Sequence, residues 1–345
     1  MKKRIFFILL VFITIFAFRF RSEPIFVAPK NWPKSSYDFK KNPLTPNKIL
    51  LGRALFYDPI LSKNNTISCA SCHSQYTAFT HVDHALSHGI GDSIGMRNSL
   101  ALMNLAWHTN FMWDGSVNHL DMQALAPINH PSEMGENIKN VVAKLQHSHL
   151  YPALFYQAFN DSVINGERLL KSISQFMLTL ISSNSKYDSV MRGKGKFTSQ
   201  EERGYLLFKK NCNTCHTEPL FTNLQFENNG LIVDPFLKDY GRFRVSQNPQ
   251  DSFKFKVPTL RNIEFSYPYM HDGRFKKISE VLNHYVSQKS KVSTLAKELS
   301  EPFVLSSNEK VDLTAFLLTL TDKHFLFNPS YSYPREVFFG RANGK

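Results

Sequence analysis

Cysteine is scarce in this chain: 345 residues contain four. In an exported protein four cysteines ordinarily suggest two disulfides, and their arrangement decides whether that holds. Strand signals are also few, which argues against a β-sandwich or barrel and leaves a mainly α fold class. Long apolar runs are lacking too. The run Ile5–Phe18 falls short of the ~20 residues a membrane-spanning helix needs. It follows Lys2, Lys3 and Arg4, so residues 1–22 read as an export signal or an uncleaved N-terminal anchor. No small-x-small cleavage site and no lipidation cysteine accompany it. Acidic residues are in deficit, giving a formal charge of +13. Residues 1–22 hold five basic residues and no acidic one, so without them the chain stands nearer +8. Charge is the one feature pointing to nucleic acid, and we exclude that partner. Lys209/Lys210 and Lys276/Lys277 are either solvated surface or a dock for an acidic redox partner.

The four cysteines occur as Cys69-Ala-Ser-Cys72-His73 and Cys212-Asn-Thr-Cys215-His216. Two thiols two residues apart reach the two vinyl groups of one porphyrin and form thioethers. The His that follows is then placed under the iron as proximal ligand. Zinc accepts C-x-x-C, and a thioredoxin-like site needs one such pair. Neither explains a trailing His on both pairs with no cysteine left over. We read two covalently attached c-type haems, with His73 and His216 as iron ligands.

The motifs begin 143 residues apart, at 69 and 212, so each is expected to have its own domain. Residues 23–45 read as a leading arm, 46–190 as an N-terminal haem domain and 191–345 as a C-terminal haem domain. Apolar spacing predicts helices at 47–56, 137–147, 151–159, 166–184, 278–286 and 308–320. Residues 185–198, rich in Gly, Ser and Lys, read as a linker. The capping box Thr198-Ser-Gln-Glu201 opens a helix that delivers the second motif. Residues 217–257 read as loops around a haem.

Further segments carry a family resemblance. They are Leu51-Gly-Arg-Ala-Leu-Phe-Tyr-Asp-Pro59, Phe111-Met-Trp-Asp-Gly115, His130-Pro-Ser-Glu-Met-Gly135, Val257-Pro-Thr-Leu-Arg-Asn262 and Tyr267-Pro-Tyr-Met-His-Asp-Gly273. With the two haem motifs, the chain from about Leu50 to Leu320 resembles the bacterial di-haem cytochrome c peroxidases, a family that includes the MauG-type enzymes. The resemblance implies two cytochrome c-like domains, each wrapped round one haem. Hydrogen peroxide binds at the N-terminal haem, and electrons pass through the C-terminal one. It implies that Trp113 bridges the haems and that Gln123, Pro127 and Glu133 form the distal pocket of the first. A distal carboxylate such as Glu133 would take a proton from one peroxide oxygen and return it to the other. It also implies a calcium ion held by the Asn98 side chain and the backbone carbonyls of Ser266 and Pro268.

Two departures from the peroxidase pattern matter. No His stands in register near Gly91-Asp92-Ser93, where these peroxidases carry one that caps the first iron. His81, His84 and His88 are the neighbours that would have to substitute, so an open first haem is expected. At the position of the usual Met ligand to the second iron stands Tyr285, as in MauG-type proteins, with Met270, His271 and His284 as rivals. A hard anionic phenolate favours oxidised iron. The expected function is peroxide reduction with electrons from a small periplasmic carrier, either a monohaem cytochrome c or a cupredoxin. Two alternatives are a MauG-like oxidase of a protein or organic substrate and a di-haem carrier without catalysis. The expected location is the periplasm, and a homodimer is expected by analogy alone.

Overall fold

The structure, a computed structural model, describes residues 25–288, 290–301 and 304–340. The expected export signal or anchor at 1–22 lies outside the described residues. In the first half the helices are α1 (Pro46–Tyr57), α2 (Cys69–Cys72), α3 (Leu120–Gln123), α4 (Leu125–Asn129), α5 (Ile138–Gln146), α6 (Tyr151–Phe159) and α7 (Gly166–Leu178). There follow α8 (Lys186–Met191), α9 (Ser199–Asn211), α10 (Phe243–Ser246), α11 (Ile278–Ser287), α12 (Ser307–Leu318), α13 (Lys323–Leu326) and α14 (Arg335–Phe338). Strands β1 (Phe226–Glu227) and β2 (Phe255–Lys256) pair antiparallel. The fold is mainly helical, as expected.

Sequence chemistry accounts for the helix starts. Thr45 caps α1 by accepting from the Lys48 N–H, and Pro46 sits where no N–H partner is needed. Asn137, Asn165, Thr198 and Ser306 cap α5, α7, α9 and α12 through their side chains. The helix expected over 166–184 stops at Leu178, where the Thr179 and Leu180 amides close tight turns on the Phe176 and Met177 carbonyls at 2.9 and 3.2 Å, and amides further on are taken elsewhere. Ser182 N–H donates to the Asn104 side chain at 3.0 Å, and Ser183 and Asn184 donate to Asp322 at 2.9 and 2.8 Å. The expected linker at 185–198 begins with α8 instead, opened by a Ser185/Asp188 capping box that buries Tyr187 and Asp188. Its Gly/Lys-rich remainder is exposed, as its composition suggests.

Two cores form. One joins α1, α5, α6 and α7 through residues such as Leu51, Phe56, Phe155 and Phe176. The other joins α8, α9, α11 and α12 through Tyr187, Phe208, Leu282 and Phe316. Each depends on one close helix contact at a glycine. A Cβ on Gly52 of α1 would stand 1.8 Å from the Ser172 carbonyl oxygen of α7. A Cβ on Gly204 of α9 would stand 2.0 Å from the Asp312 carbonyl oxygen of α12. Only a side chain of hydrogen lets either pair approach this closely.

Two segments tie the cores together. In the leading arm, the Trp107 indole donates to the Pro33 carbonyl at 2.7 Å, while Trp32 lies under the Arg261 guanidinium at 4.8 Å. After α12 the chain returns to the first core, where Phe325 and Leu326 are buried. Arg53 on α1 donates to the carbonyls of Ser332 and Pro329, at 2.6 and 3.2 Å.

Candidate haem centres and the wall between them

The first C-x-x-C-H motif lies on α2 and its C-cap, facing a cavity of about 510 Å³. Cys69, Cys72 and His73 line one side, and Gln123, Pro127 and Glu133 line it from α3, α4 and the loop beyond. His73 Nδ1 donates to the Phe79 carbonyl at 2.8 Å, which leaves Nε2 as the ring's lone-pair nitrogen. The turn that aims that carbonyl is built from two consecutive left-handed residues, Ala78 and Phe79, with φ of 59° and 58°. Burial pushes His73 down to about 4, so the ring is a neutral ligand at physiological pH. Burial pushes Cys69 up to about 12 and Cys72 up to about 11, unsuited to a thiolate redox pair.

The second motif repeats the arrangement. Cys212, Cys215 and His216 line a cavity of about 1810 Å³. His216 Nδ1 faces the carbonyls of Phe221 and Pro258, each at 3.2 Å, and Phe221 is again left-handed, with φ of 55°. Burial lowers His216 to about 4 and raises Cys212 and Cys215 to about 12 and 11. Among the described residues no group of three or more His, Cys, Asp or Glu side chains is placed to hold a metal ion, which disfavours a zinc reading of either thiol pair. Buried thiols beside an imidazole whose Nδ1 is already engaged fit a thioether-bound haem with a free axial nitrogen in both cavities.

A thin wall separates the cavities. Asn98, Ser99, Leu100 and Ala101 face the second, while Leu102 faces the first. Trp113 lies against this wall, and its indole N–H donates to the Asn98 carbonyl at 2.8 Å. It lines the second cavity, edge-on to His271 at 6.5 Å. Its chain neighbour Met112 accepts from the amide of Gln123, a residue of the first cavity, at 3.7 Å. Trp113 thus stands at the junction of the two sites. Glu133 Oε1 is 3.8 Å from His130 Nδ1, and burial raises its pKa with His130 partly opposing.

Of the candidate ligands to the second iron, Tyr285, Met270 and His271 line the cavity with His216, and His284 does not. His284 Nε2 instead donates to the Asn229 carbonyl at 3.0 Å. His271 stacks on Phe255 at 3.7 Å, and Met270 sulfur accepts from the Asn229 amide at 3.4 Å. Burial pushes Tyr285 up to about 12, with an Asn229 hydrogen bond opposing. Asn98, Ser266 and Pro268 come together at the second cavity, with the Asn98 amide donating to the Ala85 carbonyl at 3.1 Å. His81, His84 and His88 form a row of rings, the last two stacked at 4.1 Å. None of the three lines the first cavity. His88 instead meets Asp92 at 2.6 Å.

Sequence reasoning missed several residues here. Arg97 forms a two-pronged pair with Asp239, at 2.6 and 2.9 Å, and reaches Asp114 at 2.6 Å, beside Trp113. Lys256 and His108 line the second cavity, Lys256 buried and His108 half-buried. Burial lowers Lys256 to about 8 and carries His108 far below its ordinary value, with Lys256 adding to the latter. Lys256 directly precedes the Val257–Asn262 motif, the one signal that singled out its neighbourhood.

Comparison with known proteins agrees with this geometry. Residues 46–196 match the sequence profile of the di-haem cytochrome c peroxidases. The chain is 36% identical over 296 residues to the methylamine utilization protein MauG of Methylorubrum extorquens, covering 84% of this chain and 82% of that one. It is 33% identical to the cytochrome c551 peroxidase of Nitrosomonas europaea, covering 79% of each. The crystal structure of a MauG-like protein associated with microbial copper homeostasis superposes with a TM-score of 0.79 at 31% identity, over 89% of this chain and 98% of that one. Paired haem-attachment motifs, a shared wall carrying a tryptophan and relatives of both branches lead to one assignment: this chain belongs to the di-haem cytochrome c peroxidase family and is a peroxidase-type oxidoreductase.

Proposed function

We propose that this protein reduces hydrogen peroxide at the cavity of His73, with electrons entering through the cavity of His216. The observation that carries this reading is the convergence of Gln123, Pro127 and Glu133 on the cavity that His73 faces. A haem iron held by His73 would supply the centre at which the O–O bond is broken. Hydrogen peroxide takes up two electrons and two protons and leaves as two waters. Glu133 accepts the proton from one peroxide oxygen and delivers it to the other. Gln123 orients the peroxide through its amide, and Pro127 contributes a wall without a donor. Trp113 carries electrons across the wall, held by its bond to Asn98.

In this reading residues 46–190 and 191–345 are the two haem domains, with the segment after Asp322 returned to cover the first. Tyr285, which lines the second cavity, would be a further ligand to the iron held there by His216. Asn98, Ser266 and Pro268, which meet at the second cavity, would hold a calcium ion. The protein is exported to the periplasm, where a monohaem cytochrome c or a cupredoxin donates electrons. Among the described residues no helix is long and apolar enough to cross a membrane. A second reading, peroxide-dependent oxidation of a protein or organic substrate through Trp113, is favoured by Tyr285 in the second cavity and by the absence of His81, His84 and His88 from the first.

The test is to mix oxidised, unreduced holoprotein with hydrogen peroxide in a stopped-flow spectrometer. A fast change of the haem bands, reversed by a reduced cytochrome with matching consumption of peroxide, is expected. A long-lived change insensitive to cytochrome would favour the second reading. No change until one electron is supplied would overturn the open first site.

A further inference from the structure

The second cavity holds two buried polar groups that the chemistry above does not use. The Lys256 ammonium donates to the Asn110 carbonyl at 3.2 Å and lies 6.0 Å from the Phe111 ring. No carboxylate of the described residues forms an ion pair with it. His108 Nδ1 is buried and has no hydrogen-bond partner. Asp114 acts on this ammonium from beyond ion-pair distance, and a buried cation without a contacting counter-charge and a buried ring nitrogen without a partner are both costly. Two such groups lining one cavity point to an anion that belongs there.

The charges of the cavity are sorted by position. Glu227 and Glu298 line it and stand close enough to Cys215 for their charges to act on that thiol. The charge of Lys256 acts on His108, and neither group is among those acting on the two cysteines. A c-type haem has the same polarity: the thioether carbons occupy one half of the porphyrin rim and two propionate carboxylates the other. We propose that Lys256 and His108 are the receptors for the propionates of the haem attached at Cys212 and Cys215, with the ammonium pairing one carboxylate and the imidazole Nδ1–H donating to it or its neighbour. Lys256 then couples the cofactor rim to the electron path, because its backbone N–H donates to the Trp113 carbonyl at 2.7 Å. Lys256 is a positioning residue for Trp113 and a charge that holds the haem toward its reduced state.

The inference rests on a haem being bound at the second motif, so haem number is counted first in wild-type holoprotein by the pyridine haemochrome assay. One haem rather than two would sink the di-haem reading itself. With two present, the redox equilibrium of the second haem is followed by spectroelectrochemistry against pH in Lys256→Met, Lys256→Arg and His108→Phe. Removing the ammonium should shift that equilibrium toward the oxidised form by about tenfold, 59 mV for one electron. Arginine should restore it to within about threefold, since it keeps the charge that acts over this distance. His108→Phe should move the pH-dependent part of the titration upward, because a propionate without its donor binds protons more tightly. Unaltered equilibria in Lys256→Met and His108→Phe, with both haems attached, would overturn the proposal. If Lys256→Met takes up one haem only, His108→Phe decides on the same criterion.

Discussion

Replacing Asp188 with alanine would strand a charge at the centre of the molecule. Arg261 is 0% exposed and Asp188 5%, and the two meet through bonds of 2.9 and 2.8 Å. The guanidinium also donates to the Pro219 carbonyl at 2.8 Å and lies over the rings of Trp32 and Phe221. This one cation therefore joins α8, the Val257–Asn262 motif and the leading arm. Losing one partner of a buried pair costs about 3–5 kcal/mol, because the remaining charge has no water to return to. At about 2–4 °C per kcal/mol for a core of this size, the melting temperature should fall by about 6–20 °C. Asp188→Leu with Arg261→Met should recover most of the loss, since no orphan charge remains. The assay is urea unfolding of holoprotein followed by far-ultraviolet circular dichroism and the Soret band. A loss below about 1 kcal/mol, or a double variant as weak as the single, would refute the reasoning. Burial acts to raise the Asp188 pKa, but the hydrogen bonds and charge of Arg261 outweigh it and hold the carboxyl below its ordinary range. The contribution is therefore complete above the unfolded value near about 4 and is lost as pH falls through the lower folded value. It leaves stability flat near neutrality.

Glu133→Gln should slow the reaction with peroxide by about 10²–10⁴-fold in stopped-flow mixing while both haems stay attached. Because burial raises the Glu133 pKa, the wild-type rate should fall as pH drops through that raised value. A flat profile in the glutamine variant would confirm the assignment, and an equal fall in both would remove it. Tyr285→Met should displace the second haem's equilibrium toward the reduced form by about tenfold or more in redox titration, a soft ligand replacing a hard one. No displacement would return Met270 or His271 as the ligand. Gly204→Ala should destabilise by about 1–3 kcal/mol through overpacking against Asp312, reduced by the ~1 kcal/mol alanine gains in helix propensity. Urea midpoints unchanged from wild type would show that α9 and α12 can part without cost.

Much of the site was legible because its chemistry is local. A C-x-x-C-H segment carries its thiols and imidazole within five residues, so Cys69–His73 and Cys212–His216 could be read without any fold. Helices α1, α5, α6, α9, α11 and α12 were equally legible from apolar spacing and caps. The end of α7 was not, because the groups that take the amides beyond it come from Asn104 and Asp322, distant in sequence. Lys256 and His108 escaped for the same reason, since a lone Lys and a lone His gain meaning only when a fold closes water out around them. One signal was present and unused. Gly52 and Phe56 precede the first motif as Gly204 and Phe208 precede the second, and Phe79 and Phe221 follow the two histidines at nearly equal spacing. That internal repeat matches the two glycine contacts and the two carbonyls that orient the imidazoles.

The return of the chain's last described segment to α1 bears on how the protein matures. Phe325 and Leu326 sit in the first core, and Gln75, two residues past the first haem motif, donates to the Asn328 carbonyl at 2.8 Å. The core around the first motif is therefore covered by residues made long after it, Asn328 following Gln75 by 253 positions. A chain cut after α12 would leave the first core without Phe325 and Leu326 and without the Asn328 carbonyl that receives Gln75.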